Sequence, residues 1–128
     1  MFELKVVTDF AAAHRLAMVT DKCENLHGHN WKVEVHVAGE QLNSAGVLID
    51  FGEIKAHIRG IVGELDHKYL NDLDFFQGNP SSERIAVHIA DRLAALLPGG
   101  NIRVSRVAVW ESHDACATYT PGKRETAF

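Results

Sequence analysis

Alternation is clearest between residues 31 and 37. Trp31, Val33, Val35 and Val37 fall on one parity, and Lys32, Glu34 and His36 on the other. A period of two marks a strand with one buried face. Residues 2–10 carry a second strand-favouring run, with Phe2, Leu4 and Val6 on one parity. Gly39 to Gly46 reads as a turn region, followed by a short extended run at Val47, Leu48 and Ile49. The period then becomes helical. Asp50, with Glu53 three residues later, resembles a capping box opening a helix whose apolar stripe is Ile54, Ile58, Ile61, Val62 and Leu65. Residues 66–80 are irregular and rich in Asp and Asn. Pro80, Ser81, Ser82 and Glu83 open a second helix, with either serine a suitable cap. Its stripe is Ile85, Ile89, Leu93, Leu96 and Leu97, and Pro98-Gly99-Gly100 stops it. In the last strand pair, Ile102 and Val104 lie on one parity, Val107 and Val109 on the other, so a bulge is expected near Ser105 and Arg106. Tyr119 and Thr120 suit the final strand.

Two strands, two helices and two strands predict an α+β fold: a four-stranded antiparallel sheet with both helices on one face. Two hairpins leave two open edges, which favours pairing between subunits, and a symmetric homo-oligomer is expected.

Composition narrows the function classes. The 128 residues suit one domain, 1–128, and no repeat or linker divides them. A formal net charge of -4 supplies no global basic field for nucleic acid or an anionic membrane. An anionic small substrate would need a local cluster of Lys and Arg. Two cysteines, Cys23 and Cys116, are too few for a disulfide framework. The opening residues lack a charged stretch followed by an apolar one, and no apolar run approaches the roughly 20 residues that span a bilayer. A cytoplasmic protein is expected.

Eight histidines make clustering the next question. His27 and His29 flank Gly28. In an extended segment, side chains at i and i+2 share a face, so both imidazoles can meet one metal. His14, at the end of the preceding strand, can supply a third ligand. Three neutral imidazoles suit zinc and leave a fourth position open, as catalysis requires. Surface histidines share the spacing. Cys23, four residues before His27, also allows a closed site with sulfur as the fourth ligand. Asp66 and His67 are adjacent, and a carboxylate beside an imidazole can hold one tautomer. The same pair equally suits a solvated helix end. Glu111 ends an apolar strand, where a carboxylate can accept two parallel N–H bonds from a guanidine-like edge.

Six stretches occur in order: F-A-A-A-H-R-L, C-E-N-L-H-G-H-N, I-D-F-G-E-I-K, L-D-H-K-Y-L-N-D, N-P-S-S-E and W-E-S. In this order they resemble the 6-pyruvoyl-tetrahydropterin synthase family, most closely its bacterial 6-carboxy-tetrahydropterin synthase branch, and the resemblance covers nearly the whole chain. The resemblance implies a T-fold whose subunits close a barrel, commonly a hexamer of two trimers with active sites between subunits. It implies zinc on His14, His27 and His29, a catalytic cysteine at Cys23 and partners of that base at Asp66 and His67. Glu111 would anchor the pterin, with Ser81 and Ser82 touching the ring through backbone groups. The family more often has threonine at the first serine. The implied reaction converts dihydroneopterin triphosphate to 6-carboxy-tetrahydropterin, acetaldehyde and triphosphate, on the route to queuosine and other deazapurines. This is a carbon–carbon lyase. Rivals are a phosphorus–oxygen lyase (the 6-pyruvoyl synthase), a non-catalytic zinc module with one cysteine and three histidine ligands, and a water-activating metallohydrolase. Arg15, Lys22 and Lys68 lie near the motifs as cations for the triphosphate.

Overall fold

The computed structural model describes residues 1–16 and 27–122, with His27 described by its backbone. The elements are β1 (Phe2–His14), β2 (His27–Gly39), α1 (Phe51–Gly63), β3 (Lys68–Tyr69), α2 (Ser82–Leu96), β4 (Arg103–Ser112) and β5 (Ala115–Tyr119). Two short 3-10 turns, Leu70–Asp72 and Asp74–Phe76, fill the segment between β3 and α2.

The sheet has five strands in the order β3-β1-β2-β4-β5. The expected four antiparallel strands are present, and β3 adds a short parallel edge beside Ala12 and Ala13. That fifth strand corrects the four-stranded expectation. Its two residues are too few to show a period in the sequence. It forms because Asp66 is tied to β1: its Oδ1 accepts the Ala11 N–H at 2.9 Å, and the His67 N–H donates to the Ala11 carbonyl at 2.6 Å.

One face of the sheet carries Val6, Phe10, Trp31, Val33, Val35, Val107 and Val109, all buried against both helices. The parity slip in β4 is real. His36 pairs with Arg106 and Val37 with Val104, which leaves Ser105 as the extra residue of a bulge. After it, Val107, Val109 and Glu111 share one parity, so the strand delivers Glu111 toward the helix side.

The helices differ from expectation at their ends. Asp50 caps α1 through its carbonyl, which accepts from Glu53 and Ile54, with no side-chain cap bond. The reciprocal box is therefore absent. Ser81, not Ser82, caps α2, its hydroxyl accepting the Arg84 N–H at 3.2 Å. Such a cap contributes about 1 kcal/mol. Leu96 lies outside the α2 stripe and is exposed, while Ala86 and Ala90 are buried within it. Val47–Ile49 forms no strand, although Leu48 and Ile49 are buried. Neither helix is long and apolar enough to cross a membrane.

His88 on α2 stacks on Phe75, with ring centroids 3.9 Å apart and planes 9° apart. Its Nε2 is buried with no hydrogen-bond partner among the described residues. Burial, reinforced by the nearby Arg92 and opposed by Glu64 and Asp91, lowers its pKa below the ordinary 6.5. The unfolded chain thus binds more protons just below pH 6.5 than the folded chain, so stability falls as pH drops through that range. His88→Gln is expected to flatten that fall in a series of Tm against pH. An unchanged slope would show that His88 contributes none of it.

Candidate functional site

His14 is the last residue of β1 and is fully buried. His29 stands near the start of β2, where Ala12 is its ladder partner and His27 is that of His14. The period of two that buries Trp31 and Val33 continues backward through His29, so this imidazole faces the helix side. Trp31 forms the floor. Its ring meets His14 and His29 edge-on at 4.8 and 5.2 Å, and its Nε1–H donates to the Ala12 carbonyl at 3.2 Å. The two imidazoles themselves meet edge-on at 5.1 Å.

Glu111 completes the group from β4. Trp110 pairs with Cys116 and Ser112 with Ala115, which leaves Glu111 in the gap of a second register shift. A bulge of this kind frees a side chain from the ladder and re-aims it. Glu111 Oε1 lies 3.0 Å from His14 Nε2 and 3.2 Å from His29 Nε2. Ligand atoms of all three residues lie within 4.8 Å of one another.

The donor set fits a divalent cation. Ligands about 2.0 Å from a tetrahedral zinc stand about 3.3 Å apart, close to both separations from Glu111. The second argument concerns His14. Its Nδ1 is 3.0 Å from the Pro80 carbonyl, which can only accept. With Nδ1–H committed there, Nε2 in the neutral ring offers a lone pair toward Glu111. A cation between them satisfies the nitrogen and the carboxylate together, and the carbonyl fixes the tautomer in the usual manner of an outer-shell partner.

Two further groups lie beside the strands that carry this centre. Asp66 Oδ2 lies 3.0 Å from His67 Nδ1, while Asp66 Oδ1 holds the β1 backbone at Ala11. The Ala11 N–H, and after it His67, hold the Asp66 pKa below its ordinary value. His67 has φ 58°, a left-handed conformation uncommon for a side-chain-bearing residue. Its imidazole and Lys68 border an open groove of about 560 Å³ that also reaches His29 and Gly28. A Cβ added at Gly28 would meet nothing within 4 Å, and strand alternation would point it to the face opposite His29. On the other side, Ser82, Glu83, Glu111 and Cys116 line a depression of about 210 Å³.

The structure therefore joins His14, His29 and Glu111, and pairs Asp66 with His67. Cys23 and Lys22 lie outside the described residues, and His27 is placed by its backbone alone. The Ser81 hydroxyl oxygen accepts the helix-cap bond, which leaves its O–H and its backbone groups for a ligand contact. By sequence alone Trp31 has a place in the strand face and Pro80 and Glu83 a place at the helix opening, but none of them a place in the site. For Trp31 the signal existed in its parity with His29.

The profile of the family described as 6-pyruvoyl tetrahydropterin synthase matches residues 3–122. The chain belongs to this family. The membership spans every element described above, from β1 to β5. Among curated relatives, the Pyrococcus furiosus protein named dihydroneopterin monophosphate aldolase is 38% identical over 105 residues, covering 82% of this chain and 85% of the relative. A Synechocystis protein named 6-carboxy-5,6,7,8-tetrahydropterin synthase is also 38% identical, over 116 residues, covering 86% of each chain. The Caenorhabditis elegans 6-pyruvoyl tetrahydropterin synthase structure superposes with a TM-score of 0.81 at 24% identity, covering 94% of this chain and 96% of the other. That likeness concerns the fold, which is the T-fold subunit of the 6-pyruvoyl tetrahydropterin synthase family.

Proposed function

We propose that this pterin synthase family member is a zinc-dependent 6-carboxy-tetrahydropterin synthase. Its substrate is dihydroneopterin triphosphate and its products are 6-carboxy-tetrahydropterin, acetaldehyde and triphosphate. The observation that carries the reading is the convergence of His14 Nε2, His29 Nε2 and Glu111 Oε1 at one end of the sheet. The relatives named for this reaction support the choice of product.

His14 and His29 would hold the zinc, joined by His27, whose backbone pairs with His14. When bound, zinc acts as a Lewis acid toward the substrate's side-chain oxygens and makes the adjoining C–H more acidic. Cys23, as thiolate, takes that proton. Asp66 holds His67 by Nδ1, leaving Nε2 to exchange protons with the reacting side chain. Glu111 anchors the amino and ring N–H edge of the pterin by two parallel bonds, with Glu83 as a second carboxylate on the same depression. Ser81 and Ser82 assist through backbone groups. Lys68 borders the groove beside His67 and suits the triphosphate. The exposed edges β3 and β5 suit closure of a barrel by a homohexamer, acting in the cytoplasm on the route to queuosine.

A second reading rests on the equal identity to the relative named dihydroneopterin monophosphate aldolase. Retro-aldol cleavage between the first two side-chain carbons of that substrate would release glycolaldehyde phosphate. Incubating the zinc-loaded protein with the triphosphate and the monophosphate separates the readings. Acetaldehyde from the triphosphate is expected. A pyruvoyl product without aldehyde would instead make it the sister synthase, and glycolaldehyde phosphate from the monophosphate would make it the aldolase.

A further inference from the structure

We propose that Asn71 is the positioning residue for His14. It holds both the backbone that follows this ligand and the loop whose carbonyl orients its ring. The inference rests on the reading of His14 as a metal ligand.

Asn71 sits in the 3-10 turn after β3 and is half-buried. Its Oδ1 accepts the Arg15 N–H at 2.8 Å, and its Nδ2 donates to the Arg15 carbonyl at 2.7 Å. The carboxamide thus treats Arg15 as a neighbouring strand would, one residue beyond the end of β1. The same Nδ2 donates to the Gly78 carbonyl at 3.1 Å. Gly78 lies two residues before Pro80, whose carbonyl faces His14 Nδ1 at 3.0 Å.

Both supports of one imidazole therefore pass through a single side chain. A shift of Arg15 moves the backbone carrying His14. A shift of Gly78 moves the acceptor that selects its tautomer. The converging ligand atoms belong to His14, His29 and Glu111, and the bonds of Asn71 go to Arg15 and Gly78, so Asn71 acts through His14. An ordinary loop clasp would show the same three bonds but would influence stability alone.

The fold contains a built-in comparison. Asn101 Oδ1 accepts the Glu40 and Gln41 N–H groups at 2.8 and 3.0 Å, and its Nδ2 donates to the Gln41 carbonyl at 2.8 Å. This clamp also makes three bonds, here two accepted and one donated, just past the Gly39 end of β2, at the far end of that strand from His29.

The test uses the full chain with Asn71→Ser, Asn71→Asp and Asn101→Ser. Zinc affinity is measured by competition with a chromophoric chelator, and the visible spectrum of the cobalt-loaded protein reports ligand geometry. All are recorded below each variant's own Tm. Removing outer-shell partners typically costs about 10–100-fold in metal affinity, and about 10-fold is expected for the Asn71 variants, with a changed cobalt spectrum. Asn101→Ser is expected to lower Tm while leaving zinc affinity and spectrum as in the parent chain. Asn71→Asp retains the acceptor for Arg15, so it carries the test if Asn71→Ser does not fold. Parental affinity and spectrum in a folded Asn71 variant would overturn the proposal, as would equal weakening by Asn101→Ser. A parent chain that binds neither ion would sink the metal reading itself, an outcome distinct from both.

Discussion

His14→Ala is expected to abolish tight zinc binding and to lower turnover by at least about 100-fold, a loss that removal of mere outer-shell partners already reaches. The reason is local. His14 is fully buried on the edge of Trp31, with one nitrogen 3.0 Å from the Pro80 carbonyl and the other 3.0 Å from Glu111. Alanine removes a ligand and empties a dry position. It also strips the Pro80 carbonyl of its donor, and an unsatisfied buried polar group costs about 1–3 kcal/mol. The variant should therefore melt earlier as well as bind less metal. Metal content by mass spectrometry, with turnover on the same sample, checks the expectation. Full zinc occupancy with parental turnover would falsify the metal assignment.

Cys23→Ala is expected to behave oppositely with respect to metal. Zinc should stay, because the proposed ligands are the three imidazoles, and those of His14 and His29 already converge without sulfur. Acetaldehyde release should fall by about 10²–10⁴-fold, the usual contribution of a positioned proton-transfer group. The rival readings answer differently. If the thiolate is a fourth structural ligand, the substitution releases zinc and lowers Tm. If the protein is a hydrolase that activates water, ester hydrolysis survives intact. Zinc content and aldehyde yield, read together, decide among the three.

The two variants probe opposite sides of one design. β1 and β2 present their histidines from a paired ladder, which rigidly sets the separation of His14 and His29. Glu111 comes from a bulged strand, where the ladder is interrupted and the side chain has more latitude. The site thus combines two candidate ligands held by the sheet with a carboxylate on a less constrained strand.

The amino-acid sequence alone determined the four long strands and both helices, though neither β3 nor the absence of a strand at Val47–Ile49. Alternation in β2 and the helical stripes of α1 and α2 are local patterns, set by the geometry of a strand or a helix, and they reappear with the expected residues inside, except for the exposed Leu96 of α2. The Ser105 bulge was legible for the same reason, since a parity slip is a property of neighbouring residues. His27, Gly28 and His29 could be read as a metal-type spacing within one strand.

What only the tertiary structure decided lies between elements. Glu111 is 97 residues from His14, and no periodicity relates them, yet parallel placement of strand ends puts their atoms 3.0 Å apart. The Pro80 carbonyl is a backbone group, identical in every residue, so no letter announces its role. Strand β3 has two residues and depends on Asp66 binding β1. Asn71 and Asn101 resemble ordinary loop residues in the sequence. Their different consequences follow from which backbone each carboxamide reaches, and that is set by packing, not by residue type.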